Sequence, residues 1–526
     1  MANKKFSEFT TKTDPANVDF VVGYDGTTNV KIAPGNLSSG GATDLNGLSD
    51  VSIDLTNDSA YFINIPSGLS GATGNLVIGE TAGNSLTSGV NNIAIGFESL
   101  STLTSGVDTV AIGYRALKAC NNTSFTRNVA LGYNAAAALT SSSSGVYIGA
   151  EVAQAATSGI SSSVIIGNRA MYASTGGADC VVIGRYAGSN ASGGQNILIG
   201  TSAGRSNTNT GNISIGYESG YSQTSGTSNT NLGYKAGYSN TTAGSRTCIG
   251  VEAGENNTGA SNTFIGVKTG EQTGTGDSNT AIGTEAGRYI TTGARNVMVG
   301  MQSGKWNQAG DDNVSVGYQA LNATGTEKDR NVAIGSYAGT VAAGAFYNTL
   351  VGYNSGKAIT DGDNNTFIGY ETGKTVTTGS NLTAIGNEAQ PSAISATNEI
   401  TFGNSSIATL RCQVTSITAL SDERDKTSIE VLPYGLDFVD SLKPKKFVWD
   451  HRAETDSDGN EFFSNNKGKK DIGFIAQELQ SVDDDFLNLV YDSNPEKLEA
   501  TYGRLIPVLV KAIQDLSAKV TALENA

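Results

Sequence analysis

Ser421 and Lys426 stand five positions apart in the charged run SDERDK (421–426). A serine hydroxyl is a poor nucleophile until a base accepts its proton. A lysine amine can be that base only where desolvation favours its neutral form. The chemistry open to such a pair is attack on a carbonyl. Asp422 and Asp425 lie in the same run, but a carboxylate beside the lysine would keep it charged, so both are read as structural. Taken alone the spacing carries little weight, because chance supplies many such pairs.

Other chemistries fit the chain less well. His451 is its single histidine, so one chain cannot build a Ser-His-Asp triad or a histidine-based zinc site. Cys120, Cys180, Cys248 and Cys412 are scattered, which suits buried thiols and not a disulfide framework. DSDGNE (456–461) lacks the ligand spacing of a calcium loop and reads as a turn at Asp458-Gly459. Glu98, Glu218, Glu252, Glu285, Glu371 and Glu388 could be imagined as glycosidase carboxylates. They recur with a repeat and do not converge once, so a solvated edge is the simpler reading. No cofactor and no metal are expected. The net charge of −15 argues against nucleic acid or an anionic membrane as partner.

The elements that must position these residues follow a clock. Aligned on the glycine of motifs such as NLVIG, NIAIG and TVAIG, twenty glycines run from Gly79, Gly96 and Gly113 to Gly403, with every step between 16 and 19 residues. Gly makes up 66 of the 526 residues. Disordered low-complexity sequence keeps no such period, whereas a solenoid must, since each coil stacks on the last. In NTAIGTEAGRYITTGAR (279–295) a short apolar, β-branched strand precedes the glycine, and Gly287 marks a second corner. Asn stands four before the glycine in thirteen of the twenty units, placed to form a ladder of stacked amides. One coil per ~4.8 Å gives a rod of about 95 Å.

Strands alternate their faces. The residue just before the glycine (Ile95, Ile112, Ile282, Ile334) is always large and apolar and is expected to face the coil interior. The residue two before it (Val77, Ala94, Tyr147, Ile165, Leu198, Phe264, Met298, Phe367) would then point outward, and it too is mostly apolar. Burial of that row against sister chains accounts for it, with a three-fold bundle as the natural geometry. A monomeric solenoid buried on both faces is the alternative.

Five regions follow. Residues 1–37 contain an alternating segment around Asp25-Gly26 that reads as a β-hairpin. Residues 38–74 read as a neck or linker, 75–405 as the repeats and 406–420 as a connector. From 421 to 526 the composition is that of an ordinary globular domain. There 34 of 106 residues are charged, against 49 of the first 420. Ile506, Leu509, Ile513, Leu516, Val520 and Leu523 fall at alternating steps of three and four, a heptad seam suited to a coiled coil between chains or to packing on the helix's own domain. The fold class is mainly β: a trimeric parallel β-solenoid shaft with a small α+β C-terminal domain ending in a coiled-coil helix.

Three motifs, SDERDK (421–426), DIGFIAQEL (471–479) and LIPVLVKAIQDL (505–516), occur in that order. This order resembles the C-terminal intramolecular chaperone of endosialidases and many phage fibres, over all of 421–526. The loop 450–471 is long and charged for that family. The resemblance implies a domain that trimerises the preceding stalk and then cuts itself off before a serine, using a serine–lysine dyad. Carried onto this chain, it makes Ser421 and Lys426 the dyad and Leu420–Ser421 the scissile bond. Ser421 would attack the carbonyl before it, Lys426 would take the proton, and hydrolysis would follow. The repeat itself looks like the heads of trimeric adhesins and the shafts of some phage fibres. The opening MANKKFSEFTTKTDPANVDFVVGYDG is similar to virion-attachment ends of phage fibres.

The expectation is therefore a homotrimeric phage tail fibre or spike that binds a virion protein through its N-terminus. Its free surface would meet a host receptor, a glycan or outer-membrane component. No apolar signal core opens the chain and no run reaches the length of a bilayer span. It is thus expected to be made in the host cytoplasm, without membrane insertion, and to reside in the virion. A polysaccharide-degrading tail spike and a bacterial trimeric adhesin are the alternatives.

Overall fold

The computed structural model describes residues 72–121, 125–325, 328–407, 409–411, 413, 421–450, 468–492 and 498–526, with the backbone of the short strands within 20–62 and 454–462. The Asp25-Gly26 turn, most of the neck, Cys412, Leu420, His451 and the loop 456–460 lie outside these residues. The chain divides into two compact units, 1–258 and 259–526.

In the first unit Phe20–Tyr24 and Asn29–Ile32 pair antiparallel, as the alternation around Asp25-Gly26 predicts. A second hairpin, Val51–Asp54 with Ser59–Phe62, falls within the neck segment, and its second strand pairs parallel with Leu76–Ile78. The sheet therefore starts one coil before the first repeat glycine. From there three-residue strands stack parallel and in register, coil on coil, to Thr247–Ile249. The second unit continues the pattern from Thr263–Ile265 to Ile400–Phe402. The architecture is a parallel β-solenoid of about 17 residues per coil.

The glycine that ends each strand is required by its neighbour. Gly132 has φ +139, and a Cβ there would sit 2.4 Å from the carbonyl oxygen of Gly149 in the next coil. No side chain fits that approach.

The inside-outside assignment expected for the strands is reversed. The central residue, two before the glycine, is fully buried: Val77, Ala94, Tyr147, Ile165, Leu198, Phe264 and Phe367 are all 0% exposed. The residue just before the glycine faces out, with Ile112, Ile282 and Ile334 at 38, 38 and 40% exposure. Space is the physical reason. Each coil also turns inward the residues three, four and seven after the glycine, such as Ala116, Leu117 and Cys120 after Gly113. With the −4 side chain also inside, room remains for one strand side chain. Its size is matched by the residue six positions on. Ala94 and Ala111 face Leu100 and Leu117, whereas Phe264 and Phe367 are accommodated by Gly270 and Gly373.

The asparagine ladder is present and buried. In the first unit Asn92 donates its backbone N–H and its Nδ2 to Asn75 Oδ1, at 2.9 and 3.1 Å, and its Nδ2 also reaches the Gly106 carbonyl at 2.8 Å. In the second unit the chain of bonds runs from Asn262 through Asn279, Asn296, Asn313, Asn331 and Asn348 to Asn365, and ends on the Leu382 N–H. Each amide satisfies one N–H of the next coil and one carbonyl of a turn, so buried backbone groups beyond the strands find partners. Arg246 takes the ladder position after Asn229, fully buried, with Nη1 on the Asn257 carbonyl at 2.6 Å. Cys120, Cys180 and Cys248 are buried free thiols, and burial pushes each thiol up.

Beyond the solenoid, the described residues of the second unit include the α-helices α1 (Leu436–Ser441), α2 (Ala476–Gln480) and α3 (Leu505–Glu524). Lys445–Val448 pairs antiparallel with Lys470–Gly473, and Val490–Tyr491 with Glu499–Ala500. Their core is Leu479, Leu487, Leu489, Val490, Leu505 and Val508, with Phe438, Leu442 and Phe474 packed on it. The Asp483 carboxylate holds this corner by accepting the N–H groups of Leu489 and Val490 at 2.8 and 2.9 Å. Among the described residues no helix is long and apolar enough to cross a membrane.

Candidate functional site

Ser421 and Lys426 are brought together by one turn of 3₁₀ helix, Glu423–Asp425. Asp422 caps that turn, accepting the Arg424 N–H at 2.9 Å while its carboxylate pairs with the Arg424 guanidinium at 2.6 Å. A short acidic residue followed by a tight turn is an ordinary N-cap. The turn closes with the Lys426 N–H on the Glu423 carbonyl at 3.1 Å. Its side chain then folds back, and Nζ lies 2.6 Å from Ser421 Oγ and 3.1 Å from the Ser421 carbonyl oxygen. Asp422 is occupied by Arg424 and not by Lys426, in line with the structural role expected of it.

The geometry places an amine within proton-transfer distance of a hydroxyl. Residues 421–426 are all exposed to solvent in the single chain. Leu420, the other side of the expected scissile bond, lies outside the described residues.

The C-terminal helix separates its two apolar stripes. Leu505, Val508 and Ala512 are buried against the domain's own core. The heptad residues Ile506, Leu509, Ile513, Leu516, Val520 and Leu523 are all exposed, from 44 to 77%. The seam is therefore not spent on its own domain. Ile472, Phe486 and Val431 are likewise exposed, at 79, 87 and 83%.

Three of the six glutamates in the row are held by neighbouring side chains. Glu98 is held by Lys118 at 2.8 Å and by Arg115 at 2.6 Å, and the Lys118 hydrogen bond in particular lowers its pKa. Glu285 bonds Lys305 at 2.9 Å and Gln302 at 2.8 Å, and these partners bring it down to about 2. Glu371 is buried, and Asn354 donates to it at 3.1 Å. A glycosidase acid needs a carboxyl raised toward neutrality, and Glu98 and Glu285 are moved the other way.

Two features went unread in the sequence. Lys328 is buried, with Nζ on the carbonyls of Leu321 and Ala323 at 3.3 and 2.7 Å, and burial lowers its pKa to about 7. Arg169, Arg185 and Arg205 gather around Tyr186. The signal was available in the offsets, since these residues stand two, one and five positions after successive repeat glycines and so stack in adjacent columns.

No curated protein and no solved structure matches the chain. Residues 421–490, beginning at Ser421 itself, match the model of the family described as the chaperone of endosialidase.

Proposed function

We propose that the chain is a homotrimeric phage tail fibre that recognises the host. In this reading its C-terminal domain aligns the three chains and then releases itself by cutting between Leu420 and Ser421. The observation that carries the reading is the Ser421–Lys426 contact of 2.6 Å at the first residue of the matched family domain.

The reaction is an intramolecular acyl shift. Ser421 Oγ attacks the Leu420 carbonyl carbon while Lys426 Nζ takes the hydroxyl proton. The C–N bond breaks, and the departing Ser421 amine receives that proton. The ester left on Ser421 Oγ is then hydrolysed, giving a Leu420 carboxylate and a free Ser421 N-terminus. A lysine base requires desolvation, and the dyad is exposed in one chain. Assembly of the trimer would supply the missing burial, coupling the cut to completed assembly.

Two surfaces support three chains. The exposed heptad seam of α3 offers a short coiled coil. Within each unit the outward isoleucine row offers an apolar stripe. Near-identical coils can pair out of step by one repeat at little local cost. A domain that trimerises first fixes the register, and its removal leaves a shaft that cannot readily unzip, a form of kinetic stability. The N-terminal segment would attach to the virion.

Expression followed by mass spectrometry tests the reading. The wild type should give fragments of 420 and 106 residues, and Ser421→Ala and Lys426→Ala should remain whole. Cutting of Ser421→Ala at 420/421 would refute the assignment.

A further inference from the structure

The face of the first unit around Tyr186 differs from the rest of the chain. Between residues 151 and 250 there are three acidic residues, Glu151, Asp179 and Glu218, and five basic ones, in a protein whose net charge is −15. One of the five, Arg246, is buried inside a coil. Three of the other four meet at one ring. The guanidinium of Arg185 lies 4.9 Å from the Tyr186 centroid, that of Arg205 5.8 Å and that of Arg169 5.9 Å. Arg169 and Arg205 also lie 5.5 and 5.4 Å from the rings of Tyr172 and Tyr221.

Their hydrogen bonds within this face run to one carboxylate and to tyrosine hydroxyls. Arg169 gives Nε to Glu151 and Nη1 to the Tyr186 hydroxyl at 3.2 Å. Arg205 gives Nη1 to the Tyr221 hydroxyl at 2.7 Å. Each guanidinium carries five N–H donors, more than these partners take up, Arg185 is exposed, and ring stacking holds their planes in place. The cluster is built on turn residues, in columns separate from the outward isoleucine row.

From this arrangement we infer that Arg169, Arg185 and Arg205 with Tyr172, Tyr186 and Tyr221 form a binding face for an anionic saccharide. The arginine forks take its carboxylate or phosphate groups and the tyrosine rings take the C–H faces of its sugars. This rests on the shaft being the part that meets the host, and it names the chemistry that the shaft would select.

Guanidinium forks match carboxylate and phosphate geometry. A nucleic acid fits poorly, because its charge density, one per ~1.7 Å of duplex, is repelled by the acidic protein as a whole. An anionic polysaccharide spaces its charges one sugar or more apart and offers apolar ring faces between them. The three arginines come from three successive coils, so a polymer lying along the columns engages more than one of them at once.

The test uses the full-length protein and four probes: polygalacturonate, a phosphomannan, neutral dextran and polyglutamate. Titration calorimetry at low salt should find binding to polygalacturonate, to the phosphomannan or to both, and neither to dextran nor to polyglutamate. Which of the two binds identifies the source of the oxyanion. Affinity should fall as salt is raised. The triple variant Arg169→Gln/Arg185→Gln/Arg205→Gln should lose about thirtyfold or more, since exposed charge-assisted bonds of this kind are each worth about threefold to tenfold and the factors multiply. Arg185→Gln alone, at an exposed position, should lose about threefold to tenfold and covers the case in which the triple variant does not fold. Absence of binding to both acidic polysaccharides, equal binding of dextran or polyglutamate, or unchanged affinity in Arg185→Gln and the triple variant would overturn the inference. Attachment of labelled protein to host cells separates the two claims. Cells bound equally by wild type and variant would sink the saccharide face alone, whereas a wild-type protein that binds no cell would sink the adhesive reading itself.

Discussion

Asn331 is the ladder position at which the cost of losing one amide is best defined. Its Oδ1 accepts the Asn348 backbone N–H at 3.0 Å and Asn348 Nδ2 at 3.1 Å, while its Nδ2 donates to the Ala345 carbonyl at 2.7 Å. All of this is inside the coil, where Asn331 has no solvent exposure. In Asn331→Ala the backbone N–H of residue 331 still reaches Asn313 Oδ1 at 3.0 Å, so the ladder below loses only the longer Nδ2 bond to that oxygen, at 3.3 Å. Asn348 Nδ2 keeps the Gly362 carbonyl at 2.8 Å. What is orphaned is the Asn348 N–H and the Ala345 carbonyl.

An unmade bond on a buried polar group costs about 1–3 kcal/mol, so two of them put the expected loss at about 2–6 kcal/mol. The control is Thr87→Ala, which removes an exposed hydroxyl bond to the Thr104 carbonyl at 3.2 Å and should shift stability by no more than about 0.5 kcal/mol. Denaturant unfolding followed by circular dichroism reads the difference. Hydrogen exchange at the Asn348 amide reads it locally, with accelerated exchange in the variant. Because each coil contacts only its neighbours, protection in the N-terminal coils should be unchanged. Asn331→Ala with the stability of Thr87→Ala, or an Asn348 amide that stays protected, would refute the claim that the ladder amides satisfy otherwise orphaned backbone groups.

Other predictions concern assembly, packing and pH. Ile513→Asp with Leu516→Asp, on the exposed seam of α3, should abolish trimers by light scattering while near-ultraviolet dichroism of the domain persists; trimers that survive would exclude the seam. Gly132→Ala, with a Cβ 2.4 Å from the Gly149 carbonyl oxygen and φ at +139, should cost more than about 3 kcal/mol and yield insoluble protein. Glu285 is brought down to about 2, below its ordinary 4.5, so its contribution is present at neutral pH and is lost as pH falls from about 4.5 toward 2. Glu285→Gln should flatten the melting temperature across that acid window. Lys328 has a folded pKa of about 7 against an ordinary 10.5, so the unfolded chain binds the extra proton between those values and stability should rise with pH across the interval. In Lys328→Met that rise should be missing, and a wild-type melting temperature flat from pH 7 to 10 would contradict the burial.

Much of the fold is legible in the chain because a solenoid writes its geometry into its period. The glycine clock from Gly79 to Gly403 marks the coils, and Gly132 shows why glycine recurs, with the next coil's carbonyl occupying the place of a side chain. Asn at −4 announced a ladder because identical residues stacked at strand spacing have only one another and the turns to bond. Three ordered motifs single out Ser421 and Lys426 in the chain, and the 3₁₀ turn at Glu423–Asp425 brings the two within 2.6 Å. These are local or strictly periodic features, for which sequence distance fixes spatial distance.

Tertiary structure decided what periodicity leaves ambiguous. Alternation establishes that Ile112 and Ala111 point opposite ways, but not which way is in. The narrow coil, already filled by residues such as Ala116, Leu117 and Cys120, admits the small central residue and turns the isoleucine out. The heptad of α3 was equally ambiguous until Leu505, Val508 and Ala512 were found to bind the helix to its own core, leaving the seam free. Arg169, Arg185 and Arg205 are 16 and 20 residues apart in the chain and meet at Tyr186 only because stacking brings their columns together. Sequence alone sets the period and the chemistry available at each position. Which of two apolar rows is buried, and which distant charges become neighbours, follow from the volume inside a coil and the stacking of one coil on the next.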